Sequence, residues 1–432
     1  MFSMVDLSLV LPADDVTGLG VWRRLGNLSS DIFALGIHRE STHSPSTTPH
    51  FLAEIRRKVF CSVYQYDKSY ATLFDRPPRI PKLYADCKLP LDLTDDQVLA
   101  DTPEALDSIR ACVTEDGWNV DKVYMSTTWA RLRFILGGFR EEMIQHYLGS
   151  SNPHTDDQLW YDLNSRPRSE DSTVILTIAR DLSNRCREAW DSLPDYLKYT
   201  RQSWDTTMPV PVTFMLGKVY LSYLHIEFHI RRLLARNDPR EQMTLWLVAN
   251  TMLEVVLQQG ATRDRDVYLP TDLPAVMFAY GLFCATILCS ALQDITRDPS
   301  KMLPDGLNRA TLIRNLSVFI ADLELVCGPG SLNHEFCAQA SKAISKALDD
   351  ILNGVPSTTA LVSNVPNIGV LATPPSASSL PTLSEFGDGS GTARTDDLAG
   401  IDFSNFDVGN FDLADWSMNI DWTGTTGGWN IF

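Results

Sequence analysis

The chain has 432 residues, of which 44% are hydrophobic and 21% charged, and its formal net charge is −17 at pH 7. This hydrophobic content suffices for one large core or two ordinary ones, and it excludes a wholly disordered chain. A surface this acidic repels phosphate backbones and anionic membranes, so contact with nucleic acid would need a local basic module.

Apolar residues recur at helical spacing through residues 1–355, and no alternating strand pattern persists over a useful length. The sequence therefore predicts an all-α, multi-helix, bundle-like domain over these residues. The predicted helices are Gly20–Ile37, Pro49–Phe74, Val120–Leu148, Ser172–Leu193, Pro211–Ala235, Arg240–Gln259, Ala275–Leu292, Leu307–Cys327 and Leu332–Leu352.

The second predicted helix has the clearest pattern. Pro49 suits a first helical position, and Pro77 and Pro78 end the helix because proline disfavours helix in the residue before it. Glu54 and Lys58 are spaced to form an ion pair one turn apart. The helix also carries one continuous apolar stripe, formed by Leu52, Ile55, Val59, Val63, Tyr66, Tyr70 and Leu73.

The basic cluster at residues 56–58 of this helix is interrupted by Glu54 and Asp67. A nucleic-acid patch would extend along a whole helix face. We therefore interpret the cluster as a solvated face or as internal ion pairs that brace neighbouring helices.

The run Ala275–Leu292 contains eighteen residues without a charge, which reaches the lower length for a membrane span. No Lys/Arg asymmetry orients such a span. We interpret the run as a central helix buried on all sides and expect no membrane contact. The alternative, a membrane-associated helical protein, would sediment with membranes after carbonate washing.

No cysteine or histidine pattern predicts a metal site. The eight cysteines are scattered, and the nearest pair, Cys284 and Cys289, has no second pair or close histidine. His225 and His229 lie one turn apart, but two ligands do not close a site. We therefore expect buried thiols, a packed or surface histidine pair, and no cofactor held by this chain.

Catalytic motifs for nucleophilic hydrolysis, phosphate binding and zinc proteolysis are all missing from the 432 residues, so we predict that the chain is not an enzyme. The alternative is an all-α metal-dependent enzyme of terpene-cyclase type, which would contain bound magnesium or zinc after purification. The acidic pairs that invite this alternative lack a third carboxylate on an apolar helix; they are Asp14-Asp15, Asp95-Asp96, Asp156-Asp157, Asp349-Asp350 and Asp396-Asp397.

Beyond the helical domain, residues 356–384 form a linker rich in Pro, Ser and Thr, and residues 385–432 form an acidic-aromatic tail. Acidic residues interleaved with aromatic ones are typical of disordered activation segments. The alternative is that Ile401–Trp422 folds back onto the domain as an ordinary strand or helix. The residues predicted to carry activation are Phe403, Phe406, Phe411, Trp416 and Trp422.

Residues 35–92 contain five short motifs in a characteristic order. They are Leu35-Gly36-Ile37-His38-Arg39-Glu40, Glu54-Ile55-Arg56-Arg57-Lys58, Asp67-Lys68, Arg76-Pro77-Pro78-Arg79-Ile80 and Asp86-Cys87-Lys88-Leu89-Pro90. In order and spacing they resemble the middle regulatory domain of fungal zinc-cluster (Zn2Cys6) transcription factors. Weaker similarity extends the resemblance over residues 18–352. The sequence departs from the family pattern at Asp75, where glycine is usual, and at Cys61, where tryptophan is common.

The resemblance implies a nuclear transcription regulator, and the tail favours an activator, controlling a metabolic or secondary-metabolite gene cluster. The zinc-cluster module has no counterpart in these residues, so DNA contact is expected only indirectly or through a missing N-terminal module, and zinc only in an upstream zinc-cluster domain. The expected partners are coactivators bound by the tail and a zinc-cluster factor as a dimerisation partner. The resemblance gives a structural role to Glu54, Arg56, Arg57, Asp67, Arg76, Pro77 and Pro78.

Overall fold

The computed structural model describes the parts of the helical domain that the sequence placed before the linker. These parts are residues 19–40, 48–73, 76–100, 102–150, 172–235, 238–265, 269–298, 300–326 and 334–353. The predicted linker at 356–384 and the tail residues Phe403, Phe406, Phe411, Trp416 and Trp422 lie outside the described residues.

Helices dominate the described ranges, which contain no strand beyond an isolated antiparallel bridge between Val113 and Asn119. The all-α prediction is confirmed. The helices are α1 (Leu19–Ala34), α2 (His50–Leu73), α3 (Asp95–Val98), α4 (Pro103–Ala111), α5 (Ser126–Ser150), α6 (Ser172–Asp191), α7 (Val210–Ala235), α8 (Pro239–Gly260), α9 (Leu269–Val276), α10 (Leu282–Arg297), α11 (Arg309–Val326) and α12 (His334–Asn353).

Periodicity predicted nine of these helices. Where the predicted and observed helix bounds differ, the cause is local. Helix α5 begins at Ser126 rather than at Val120, because Lys122 adopts a left-handed conformation with φ of 56°. The Asn119 side chain holds this turn by bonding both backbone groups of Val123. The short helices α3, α4 and α9 were missed; α3 and α4 each begin at a capping threonine, Thr94 or Thr102.

Helix α7 is the centre of the packing. It runs against α8 along its length and also contacts α5 and α6. Helix α8 in turn contacts α10 and α11, and α12 packs on both of these. The resulting apolar core is continuous; Phe214, Leu221, Leu253, Leu288 and Phe319 within it are each at most 1% exposed. On the other side, α5 connects this core to α2, so α2 lies at the periphery of the bundle.

Helices α9 and α10 are joined by a π-helical turn, Met277–Gly281. Within the described residues, Leu273–Arg297 is long and apolar enough to cross a membrane, with a mean hydropathy of 2.0 over its most apolar window. A core helix meets the same criteria, and 61% of this window is buried inside the protein. The segment therefore occupies the position of a packed core helix.

Candidate functional site

Helix α2 carries most of the family-like motif, and its buried face contains charged residues. Glu54, Asp67 and Lys68 are at most 2% exposed, alongside the buried rings of Phe60 and Tyr64. Burying a charge is unfavourable unless it is paired and hydrogen-bonded. The partners of these charges explain why the motif contains the residues it does.

Asp67 and Lys68 hold the loop that follows α2. The Asp67 carboxylate accepts hydrogen bonds from the backbone N–H groups of Arg79 and Ile80, both at 2.9 Å. The Lys68 ammonium lies 2.9 Å from Asp67 Oδ2 and 3.0 Å from Glu141 Oε2, and it also donates to the carbonyl of Ile80. The loop thus has a fixed path without any regular backbone pairing.

Glu141 extends this network from α5. It accepts a 2.7 Å hydrogen bond from the Tyr64 hydroxyl and a 3.0 Å bond from the backbone N–H of Lys82. Burial, together with the Glu141 charge, raises the pKa of Tyr64, so the phenol remains a donor. One carboxylate therefore links α2, α5 and the loop between them.

A second network braces the start of α2. Glu54 Oε2 accepts a 2.7 Å bond from the backbone N–H of Leu91, and its other oxygen bonds Arg57. Arg57 also binds Glu40 through Nε at 3.1 Å. Burial opposes both charges, yet the bond to Arg57 lowers the pKa of Glu40, and the two carboxylates raise the pKa of Arg57. The predicted pair of Glu54 with Lys58 is wrong, because Lys58 instead faces Asp95 at 3.5 Å.

The remaining motif residues lie around these networks. The Arg79 and Arg76 guanidinium groups lie over the Trp22 ring of α1, at 4.0 and 5.5 Å from its centroid. Pro77 is exposed, whereas Pro78 and Arg56 are half-buried. Of the two departures from the family pattern, Cys61 is fully buried in the packing, and Asp75 lies outside the described residues.

A third buried network was not found from the sequence. Asp92 accepts a 2.8 Å bond from the Thr128 hydroxyl and a further bond from the Asn119 amide. Arg131 donates to the backbone carbonyls of residues 90 and 116 and lies 4.3 Å above the Trp118 ring. The signal in the sequence was Arg131, a charged residue among apolar residues of α5. Apolar spacing alone does not indicate what such a residue contacts.

Above these networks, a cavity of about 890 Å³ lies between α1, α2, the loop at 90–99 and the first turns of α5. We call it the α2 groove. Its walls include part of the predicted apolar stripe and several aromatic rings. The apolar lining includes Leu25, Leu28, Ile55, Val59, Tyr66 and Trp129.

The α2 groove also carries positive charge. Lys58, Arg24 and Arg133 line it, and the acidic residues there, Glu54 and Asp95, already bond to other groups. No carboxylate of the described residues lies within 4.0 Å of the guanidinium of Arg24 or Arg133. The groove is thus an apolar channel with two cations whose counter-ions are missing from the described chain.

The histidine pair of α7 is packed in the interior, which is one of the two alternatives that the sequence left open. The two Nε2 atoms of His225 and His229 lie 3.0 Å apart, and the rings of Tyr280 and Phe283 cover them. Burial lowers the pKa of His229 to about 3 and that of His225 well below its usual value, with a smaller contribution from nearby Arg140. Both rings are therefore neutral at pH 7.

Across the described ranges, no cluster of three or more His, Cys, Asp or Glu side chains has a geometry that could hold a metal ion. The seven cysteines in these ranges are free thiols, and five of them are buried. The expectation that the chain binds no cofactor remains a prediction.

Residues 20–115, which contain α1 to α4 and the loops that these networks hold, match the family described as the fungal specific transcription factor domain. These residues are similar to this fungal domain. The match covers the region in which the sequence motifs were recognised, so the resemblance is confirmed. The partners on α5, Arg131 and Glu141, lie beyond the matched residues and complete the domain's buried networks.

Two curated relatives are similar to part of this chain at low identity. The pyrrolocin cluster transcription factor fsdR of Fungal sp. (strain NRRL 50135) is 22% identical over 209 residues, which are 48% of this chain and 22% of that protein. The transcription factor phm2 of Pyrenochaetopsis sp is 25% identical over 203 residues, 47% of this chain and 23% of that protein. The match thus spans less than a quarter of either relative. No solved structure matches the chain significantly.

Proposed function

We propose that this protein is a nuclear transcription regulator whose acidic-aromatic tail activates transcription of a secondary-metabolite gene cluster. One observation carries the proposal: residues 20–115 match the fungal domain, and the motif residues inside that match form the buried networks of α2. The names of the two curated relatives, both transcription factors and one of a named cluster, support the choice of targets.

The tail supplies the activating chemistry. Between residues 385 and 421 it has nine acidic residues and a single basic one, Arg394, and its aromatic residues are interleaved with the acidic ones. Mutual repulsion keeps such a chain open and holds the rings in water. A coactivator groove can then bind the rings on one face of a short amphipathic helix.

Access to DNA is part of the same proposal. A chain this acidic does not bind a phosphate backbone by itself, and no C-x2-C-x6-C pattern occurs in the 432 residues. We propose that a zinc-cluster module, on a dimerisation partner or encoded with this chain, brings the tail to a promoter. Zinc would belong to that module.

A reporter assay tests the activator proposal. Residues 356–432, and separately the full chain, are fused to a heterologous DNA-binding domain. We expect the tail fusion to raise reporter expression at least tenfold, and replacement of all five predicted aromatic residues by alanine to abolish the increase. A matched control replaces Ser and Thr residues of the linker. Silence of both fusions, at normal protein levels, removes the activator role.

A further inference from the structure

We propose that the α2 groove binds the chain's own segment at residues 401–422, which covers the aromatic side chains that would otherwise be free to bind coactivators. The binding itself is independent of the proposed function; only its consequence for transcription depends on it.

The groove exposes apolar area that a folded domain usually covers. Leu28 is 44% exposed, Ile55 41%, Val59 40% and Leu99 61%, and all four line the same cavity. Single exposed apolar side chains are ordinary, but a contiguous patch marks an interaction site. These residues belong to three separate elements, α1, α2 and the end of α3, so the patch is a feature of the assembled fold.

Aromatic rings also line the groove. Tyr124 and Trp129 are stacked with centroids 5.7 Å apart, and Tyr66 and Tyr70 belong to the same lining. Aromatic side chains pair favourably with other rings in offset or edge-to-face arrangements. An occupant that presents Phe and Trp therefore matches this surface better than an aliphatic one.

The charge of the groove favours an acidic occupant. Within the described residues Arg24 and Arg133 have no counter-ion, and Arg133 donates to the Met215 sulfur at 3.9 Å. Residues 401–422 contain five aspartates and no Lys or Arg. A guanidinium group can both pair with a carboxylate and lie on an aromatic face. The segment therefore offers both kinds of partner that these arginines lack.

The spacing of the segment is compatible with one binding face. Apolar residues follow one another at intervals of three, seven, three and four residues, which places them on one side of a helix. On such a helix Asp407 and Asp412 lie at the two edges of this face and could reach cations at the edges of a groove. The residues on the face are Phe403, Phe406, Leu413, Trp416 and Ile420.

The intervening chain is long enough to allow the contact. Residues 354–400 separate the end of α12 from the segment. A flexible chain of this length has a root-mean-square end-to-end distance of about 40 Å, and a domain of this size has a radius of gyration of about 20 Å. Tethering also gives the segment an effective concentration in the millimolar range, which favours it over a second copy or a free ligand.

Site-specific photo-crosslinking in the full chain tests the contact. The photoreactive residue p-benzoylphenylalanine replaces Trp416, and cross-linked peptides are mapped by mass spectrometry. We expect cross-links to residues that line the groove on α2 and α5, in a product with the mass of one chain. Cross-links to another surface, cross-links only between two chains, or no cross-link at all would each overturn the proposal.

Charge reversal supplies the matched comparison. Arg24→Glu with Arg133→Glu should lower the cross-linking yield at least fivefold, whereas Arg314→Glu, an exposed arginine on α11, should leave it unchanged. Adding Asp407→Arg and Asp412→Arg to the double variant should restore at least half of the yield, which misfolding of the variant could not explain. An unchanged yield in the double variant contradicts the assignment of the groove.

The consequence for transcription is measured separately. In the full-chain fusion, the Arg24→Glu, Arg133→Glu variant should raise reporter expression severalfold, because the aromatic residues are released. The tail fusion contains no groove, so its reporter expression measures activation by the tail without docking. A silent tail fusion with intact cross-links would therefore remove activation alone, whereas an active tail fusion without cross-links would remove the docking alone.

Discussion

The two parts of the helical domain are held together by different physical means. Between α1 and α5, three small apolar clusters surround networks of buried charges, among them Lys68 with Asp67 and Glu141. From α5 to α12, one continuous apolar core contains most of the buried hydrophobic side chains. The first part depends mainly on particular donors and acceptors. The second depends mainly on volume and periodicity, although it also buries Glu227 against Ser183 and Arg231.

This difference explains where the chain is recognisable. A buried carboxylate that accepts two backbone N–H groups, as Asp67 does, has no apolar substitute that preserves the loop. A core leucine can be exchanged for another apolar residue of similar volume at modest cost. The match to the fungal domain accordingly lies at residues 20–115, on the side of the buried charges.

The largest expected effect comes from removing one charge of the first network. Lys68→Met should lower the free energy of unfolding by about 3–5 kcal/mol, because Asp67 and Glu141 would remain buried without their cation. Chemical denaturation measures the change. Lys301→Met, which removes an exposed partner of Asp294, serves as the control and should change stability little. A loss below about 1 kcal/mol for Lys68→Met would contradict the distinction between the two parts.

The apolar part should respond to volume instead. Leu253→Ala on α8 should cost about 2–5 kcal/mol, because it leaves a cavity where the side chain is fully buried. Leu253→Met should cost less than about 1.5 kcal/mol. Equal losses for the two variants in a denaturation series would show that this core, too, requires a specific residue.

The histidine pair makes the apolar part sensitive to acid. Because the folded pKa of His229 is about 3 and that of His225 is also depressed, the unfolded chain takes up their protons below about pH 6.5 and the folded chain does not. Stability should therefore fall as pH decreases from about 6.5, by about 1.4 kcal/mol per pH unit for each ring. Arg140 on α5 and Arg232 on α7 oppose protonation further.

Denaturation at several pH values, compared with a His225→Phe, His229→Phe variant, measures this slope. The variant should lose the part of the slope that the pair contributes between pH 4.5 and 6.5. An identical slope in both proteins would show that the rings are protonated in the folded state.

The smallest expected effect lies at the junction of the two parts. Arg185 on α6 bonds Glu142 and Asp181 at 2.7 Å, but its side chain is 42% exposed. Exposed pairs are screened by solvent, so Arg185→Ala should cost no more than about 1 kcal/mol. Thermal unfolding at low and high salt measures this loss of stability. A larger loss would show that surface ion pairs contribute substantially to holding the two parts of the domain together.

Apolar spacing predicted the long helices of both parts better than the rest of the fold. It placed α2, α6, α7, α8, α11 and α12 to within a few residues, but it began α10 at Ala275 rather than at Leu282. The same reasoning interpreted Glu54 as an ion-pair partner of Lys58, because spacing along one helix cannot report that Leu91, distant in sequence, needs an acceptor there. The α2 groove was not predictable for the same reason, since its walls come from four elements.

The π-helical turn at Met277–Gly281 holds about one residue more per turn than an α-helix does. Deletion of one residue in it would let the backbone continue as a regular α-helix with nearly the same total rotation. Side chains of α10 such as Cys284 and Leu288, now fully buried, would then keep their present neighbours. This turn is therefore the place in the core segment Leu273–Arg297 where the loss of one residue disturbs the packing least.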